Sequence, residues 1–100
     1  IPFSDYPGTP AYHLFPVVLG KGIRRKDVMS YLKTKGIQSS IHYPPIHRFT
    51  YYQNLLPPQP DLKNTNDLGR RILSLPLFPD MSYEQVKCVC DCFRDAIASG

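Results

Sequence analysis

Tyr12-His13-Leu14-Phe15-Pro16-Val17-Val18-Leu19 is aromatic and β-branched enough to predict a strand. Pro16, with no N–H to donate, makes it an edge strand or one carrying a bulge. Gly20-Lys21-Gly22 turns the chain, and the period then changes. From about Arg24 to Lys35, Val28, Tyr31 and Leu32 share a helical face. Ile23 and Val28 can staple its start, and Gly36 stands where a C-cap glycine belongs, although the N-cap is poor. Period two returns over Ile37 to Tyr43, predicting a second strand with Ile37, Ser39, Ile41 and Tyr43 on one face and Gln38, Ser40 and His42 on the other.

Residues 49–56 predict a short helix, ended by Pro57-Pro58-Gln59-Pro60. Asn64 is read as the N-cap of a further helix carrying Leu68 and Ile72 at i, i+4, with Asp67 in its first turn near the positive end of the macrodipole. Leu73-Ser74-Leu75-Pro76-Leu77 alternates as a third strand. The last element is the clearest, because Ser82-Tyr83-Glu84-Gln85 is a capping box that Met81 and Val86 can staple. Val86, Val89, Cys90, Phe93 and Ile97 form one apolar face of a helix reaching about Ala98. Three strands with intervening helices are too few for a doubly wound sheet. The expected class is α+β, a small, largely antiparallel three-stranded sheet with helices packed on one face. Residues 1–11 mix Pro, Gly, Ser and Thr without periodicity and read as an incoming loop or linker, leaving residues 12–98 as the domain.

The stretch Ser40-Ile41-His42-Tyr43-Pro44-Pro45-Ile46-His47-Arg48 changes this picture from fold to chemistry. It runs a strand into a Pro-Pro corner that holds Tyr43 and Pro44 extended and presents two histidines, a tyrosine and an arginine on a stiffened exit. Groups already ordered lose little entropy on binding, so the corner is a candidate site; a rigid surface turn explains the same pattern.

Composition narrows the classes. One hundred residues make a single domain with a modest core, and the 11 prolines, about twice the usual share, fall in loops. The net charge of +4 is scattered apart from Arg24-Arg25-Lys26, better read as a solvated helix start than as a phosphate patch. Cys88, Cys90 and Cys92 are odd in number and close together, which fits a reducing, cytoplasmic compartment rather than a disulfide framework. No apolar run approaches the ~20 residues of a membrane span. The chain lacks an initiator methionine and reads as a segment of something longer.

Other chemistry finds little support in the pattern. Helical spacing puts Cys90 on the apolar face and Cys88 and Cys92 on the opposite side, and two thiols make an incomplete zinc site. Neither a nucleophile elbow nor a phosphate-cradling glycine loop is present. His13 reads as a hydrogen-bonded strand histidine, and Tyr51-Tyr52 beside Arg48 as packing between domains rather than base stacking.

From Tyr12 onward the chain resembles the C-terminal small domain of the DegT/DnrJ/EryC1/StrS family, pyridoxal-phosphate sugar aminotransferases of aspartate aminotransferase fold type. The resemblance is carried by Tyr12-His13-Leu14-Phe15, Gly36-Ile37, His42-Tyr43-Pro44 with His47, and Ile72-Leu73-Ser74-Leu75-Pro76-Leu77 leading into Pro79, Ser82 and the last helix. His42 and His47 stand one residue closer than in the commoner family form. The resemblance implies a parent enzyme that moves an amino group, usually from glutamate, onto a nucleotide-linked keto sugar, in cell-surface polysaccharide, antibiotic-sugar or spore-coat biosynthesis. It implies that the catalytic lysine and the cofactor-phosphate ligands belong to a large domain outside this chain, none of Lys21, Lys26, Lys33, Lys35, Lys63 or Lys87 matching the Schiff-base motif. The fragment alone is then neither catalytic nor cofactor-binding, and its partners are its own large domain, a second subunit of a homodimer and the nucleotide sugar. The substrate wall so implied is Ser40, His42, Tyr43 and His47, with Arg48 for diphosphate charge. The rival readings are a free-standing module that binds a ligand or stacks single-stranded nucleic acid, and a regulatory domain sensing a small ligand. A stacking module needs aromatics at alternate strand positions, whereas Tyr51, Tyr52 and Phe78 fall in loops.

Overall fold

The first long helix is built around two side chains one turn apart, Val28 and Leu32, both fully buried. In the computed structural model, which describes residues 1–55, 57 and 61–99, this helix is α1 (Arg25–Thr34). It starts late, with no side-chain cap at Arg24, and Ile23 packs against the core beside Val28 as a staple requires. It ends in a Schellman motif: Gly36 takes φ +72°, its N–H donates to Lys33 O at 3.0 Å, and Ile37 N–H donates to Leu32 O at 2.9 Å. Leu32 and Ile37 thereby meet in the core.

Strand β1 (Phe15–Val18) pairs antiparallel with β2 (Ile72–Leu75), with Val17 opposite Leu73 and Pro16 opposite Ser74. Ser74 turns its N–H and C=O away from β1 to Ser40, at 2.8 and 3.1 Å. The Pro16–Ser74 pair therefore needs no ladder donor, and the proline sits inside the strand without an orphaned partner. The strand expected from Tyr12 begins only at Phe15, and Tyr12 takes φ +50°, outside extended geometry. Strand β2 ends at Leu75, short of Leu77.

The described sheet has two strands, not three. The segment Ile37–Tyr43 is held to β2 by the single Ser40–Ser74 bridge. The next bonded partners on either side of this bridge would be Gln38 opposite Pro76, which has no N–H, and His42 opposite Ile72, whose carbonyl accepts from Arg25 Nη1, so the bridge stays single.

After a 3₁₀ turn at Ile46–Arg48 comes α2 (Thr50–Leu55); Leu56 and, of the Pro57-Pro58-Gln59-Pro60 run expected to end it, Pro58, Gln59 and Pro60 lie outside the described residues. Helix α3 (Lys63–Arg71) is capped by Leu62 without a side-chain bond, so Asn64 is inside the helix rather than its N-cap. Ile72 opens β2 instead of closing the helix, and the expected Leu68–Ile72 stripe does not form: Leu68 is 46% exposed. Two arginines hold this abrupt helix-to-strand passage. Arg25 Nη1 donates to Gly69 O at 2.7 Å and Ile72 O at 3.0 Å, and Arg71 Nη1 donates to Leu19 O at 2.6 Å. Arg25 is thus a cap for the carbonyl end of α3, where cations are favoured, and not merely a solvated residue.

Asp67 lies beyond the first turn of α3 and receives both Nε and Nη2 of Arg71. That guanidinium holds the Asp67 carboxyl below its ordinary value of 3.8. With the folded value depressed, the pair's stabilisation is fully present above 3.8 and is lost as the pH falls through the folded value. Thermal melts from about pH 6 to about pH 2 should show an acid loss that is shallower in Asp67→Asn; identical slopes would remove the pair from the account.

Helix α4 (Tyr83–Ala98) has the expected capping box, Gln85 N–H donating to Ser82 Oγ and Ser82 N–H to Gln85 Oε1. Its buried stripe is Val89, Cys92, Phe93, Ala96 and Ile97, an i, i+3, i+4, i+7, i+8 set packed on Val17, Leu73, Val28 and Leu32. Cys90, about 100° round from Val89, is exposed, as is Val86, correcting their expected place on this face. Cys92 turns inward instead, and burial, aided by Cys88 one turn away, pushes its thiol up. The architecture is α+β, with α1 and α4 packed against an antiparallel pair of strands distant in sequence.

Candidate functional site

A cleft of about 560 Å³ opens between the end of α1, the chain leaving β2 and the start of α4. Leu75, Leu77, Phe78 and Val89 give it an apolar wall, while Ser40, His42 and Ser74 supply polar groups from the bridge region. His42 Nδ1 and Ser74 Oγ are buried and have no hydrogen-bond partner among the described residues. Ser74 is 4% exposed. A buried polar group without a partner carries a penalty of about 1–3 kcal/mol, so two of them in one cleft call for a ligand or a covering surface. Lys35 and His13 also line it, and none of its described lining residues is acidic, so the cleft favours anions. His13, ahead of β1, is an exposed cleft residue rather than a strand histidine.

The Pro-Pro corner carries the five predicted residues in two groups. Ser40 and His42 line the cleft. Tyr43 follows His42 across a cis peptide, is 71% exposed, and meets the His42 ring edge to face at 4.9 Å between centroids. His47 and Arg48 lie apart from the cleft lining, on the 3₁₀ turn, where both reach Asn66 Oδ1 of α3, at 3.1 and 2.9 Å.

The corner is seated by Gly69. A Cβ added there would stand 2.5 Å from Pro45 Cγ and 2.8 Å from Cδ, so only glycine lets the proline ring rest on the helix. Alanine would gain about 1 kcal/mol in helix propensity. Overpacking against a rigid ring costs about 1–3 kcal/mol. Gly69→Ala is expected to be destabilising on balance and to displace the corner, read as a lower urea midpoint and as shifted His42 and His47 resonances. A stabilised variant with unmoved histidines would contradict this packing.

Ser74 and Asn66 were not among the expected site residues. Ser74 had a signal, being the polar residue between Leu73 and Leu75 and so on the other face of β2. Asn66 had none, since its contacts come from a segment 18 and 19 residues away.

Among the described residues no group of three or more His, Cys, Asp or Glu is placed to hold a metal ion, and no helix is long and apolar enough to cross a membrane. Lys21, Lys26, Lys33, Lys35, Lys63 and Lys87 are all exposed, and Asp91 holds Lys87 above its ordinary value, opposite to the depressed, desolvated amine that Schiff-base chemistry requires.

Residues 2–94 match the DegT/DnrJ/EryC1/StrS aminotransferase family. The chain is 33% identical over 101 residues to the spore coat polysaccharide biosynthesis protein SpsC of Bacillus subtilis, covering 96% of the chain and 26% of that protein. It is 34% identical to the dTDP-3-amino-3,4,6-trideoxy-alpha-D-glucose transaminase of Streptomyces venezuelae, over 86% of the chain and 22% of that enzyme. Among solved structures, Helicobacter pylori PseC, an aminotransferase of pseudoaminic acid biosynthesis, superposes with a TM-score of 0.81 at 27% identity, over 88% of this chain and 24% of that one. S. venezuelae DesV, in complex with a ketimine intermediate, does so with a TM-score of 0.76 at 34% identity, over 87% of this chain and 23% of that one. The chain spans about a quarter of the length of the curated relatives it matches.

Proposed function

The chain belongs to the DegT/DnrJ/EryC1/StrS aminotransferase family, and on that premise we propose that residues 12–98 are the C-terminal small domain of an enzyme that transfers an amino group, from glutamate, to a nucleotide-linked keto sugar. Residues 1–11 are the loop entering it. Pyridoxal phosphate, the cofactor of this family, supplies the electron sink for the exchange. Its lysine and phosphate anchors are assigned to a large domain outside this chain, in keeping with the exposed lysines here. The location is cytoplasmic, and the partners are that large domain and a second copy in a homodimer, with neither nucleic acid nor membrane among them.

The part played by this chain is a substrate wall. The observation that carries it is the pair of buried atoms without partners, His42 Nδ1 and Ser74 Oγ, in a cleft with no described acidic residue. Ser40 and His42 offer hydrogen bonds to sugar hydroxyls, Tyr43 an exposed ring at the mouth, and His47 and Arg48 positive or donating groups for the diphosphate. The full-length protein carrying this chain, given glutamate and a nucleotide-linked keto sugar, is expected to form the amino sugar nucleotide, detected by mass. Transamination confined to small keto acids would overturn the proposal.

A further inference from the structure

Arg48 Nε, which can only donate, lies 2.9 Å from the Asn66 side chain, and this fixes the amide so that the atom facing it is the oxygen. The same oxygen lies 3.1 Å from His47 Nε2. A carbonyl oxygen can only accept, so His47 must carry its proton on Nε2, leaving Nδ1 to accept when the ring is neutral and to donate when it is charged. One amide thus sets both the tautomer of His47 and the aim of Arg48. Among the described residues the terminal nitrogens of Arg48 make no hydrogen bond, and no carboxylate pairs with either side chain.

The chemistry of the orienting group matters. An aspartate or glutamate here would orient the same two donors but neutralise them, whereas a neutral amide orients them and leaves their charge for an incoming anion. Asn66 is also one helical turn from Gly69, where Pro45 rests, so the corner is keyed to α3 at two points of one face.

Building on the function proposed above, we infer that Asn66 is a positioning residue that presents His47 and Arg48 together to the diphosphate of the nucleotide sugar. The test uses the full-length protein and Asn66→Ala and Asn66→Asp. Asn66→Ala is expected to raise KM for the nucleotide sugar roughly tenfold and leave the glutamate half-reaction unchanged. Asn66→Asp keeps the acceptor but adds a charge, so it should move the pH dependence of sugar use upward by holding His47 protonated, an effect a merely structural role would not produce. In parallel, thymidine diphosphate is titrated onto the same proteins and read at the His47 ring resonances, which should shift in the wild type and respond weakly in Asn66→Ala. Wild-type protein that binds the diphosphate at His47 yet turns over no nucleotide sugar would sink the aminotransferase reading and support the inference. Turnover with Asn66→Ala unaltered in both assays, an equal loss in both half-reactions, or no His47 response to the diphosphate would overturn it.

Discussion

Leu73→Ala is expected to lower the stability of this chain by about 2–5 kcal/mol, the range for emptying a fully enclosed aliphatic site. Leu73 is 0% exposed, lies opposite Val17 in the strand pair, and sits where α1 and α4 converge. Domains of this kind have only about 5–15 kcal/mol in all, so the loss is a large fraction and should depress the urea midpoint severely. Its effect should reach the site, because the next residue, Ser74, holds the only backbone bridge to Ser40 among the described residues. The control is Leu68→Ala at a position 46% exposed, expected within about 0.5 kcal/mol of the wild type. Comparable losses at the two leucines would mean that the core is misplaced.

That contrast also measures what the residue pattern can tell. Leu68 and Ile72 satisfy helical spacing, yet the chain turns from helix to strand between them because Arg25, from elsewhere in the fold, binds the Gly69 and Ile72 carbonyls and Arg71 reaches out to Leu19 O. Such long-range support is invisible to a local window. Where the determinants are local, the reading holds: the Ser82–Gln85 capping box and the Gly36 cap need only neighbours, and both form as expected. The third strand fails for a reason partly legible, since Pro76, opposite Gln38, cannot donate. Its other cause, the Ile72 carbonyl opposite His42 taken by Arg25, needs the actual fold. Cys90 and Cys92 are exchanged because two apolar-compatible residues flank a helical stripe, and only packing on α1 and the strands selects between them. At the site, the Pro-Pro corner was legible as a rigid presenter of polar groups. The division between cleft and helix-bound residues was not, because it depends on where α3 returns.

The second large effect concerns the corner in the full-length protein. His42→Ala and Tyr43→Ala are each expected to reduce kcat/KM for the nucleotide sugar roughly ten- to a hundredfold, the equivalent of about 1–3 kcal/mol of lost substrate contact. His42 is the more exacting case, since its Nδ1 is buried without a partner and its ring supports that of Tyr43. Removing it takes away a binding group and the edge-to-face support of its neighbour together, so His42→Ala should fall at the upper end and Tyr43→Ala at the lower. Neither change touches a lysine or any residue expected to hold the cofactor. The most direct measurement is therefore stopped-flow absorbance of the two half-reactions in His42→Ala. The account predicts an unaltered rate of cofactor amination by glutamate and a slowed, weakly saturating reaction of the aminated enzyme with the nucleotide sugar, whereas an equal fall in both rates, or a change in neither, would contradict it.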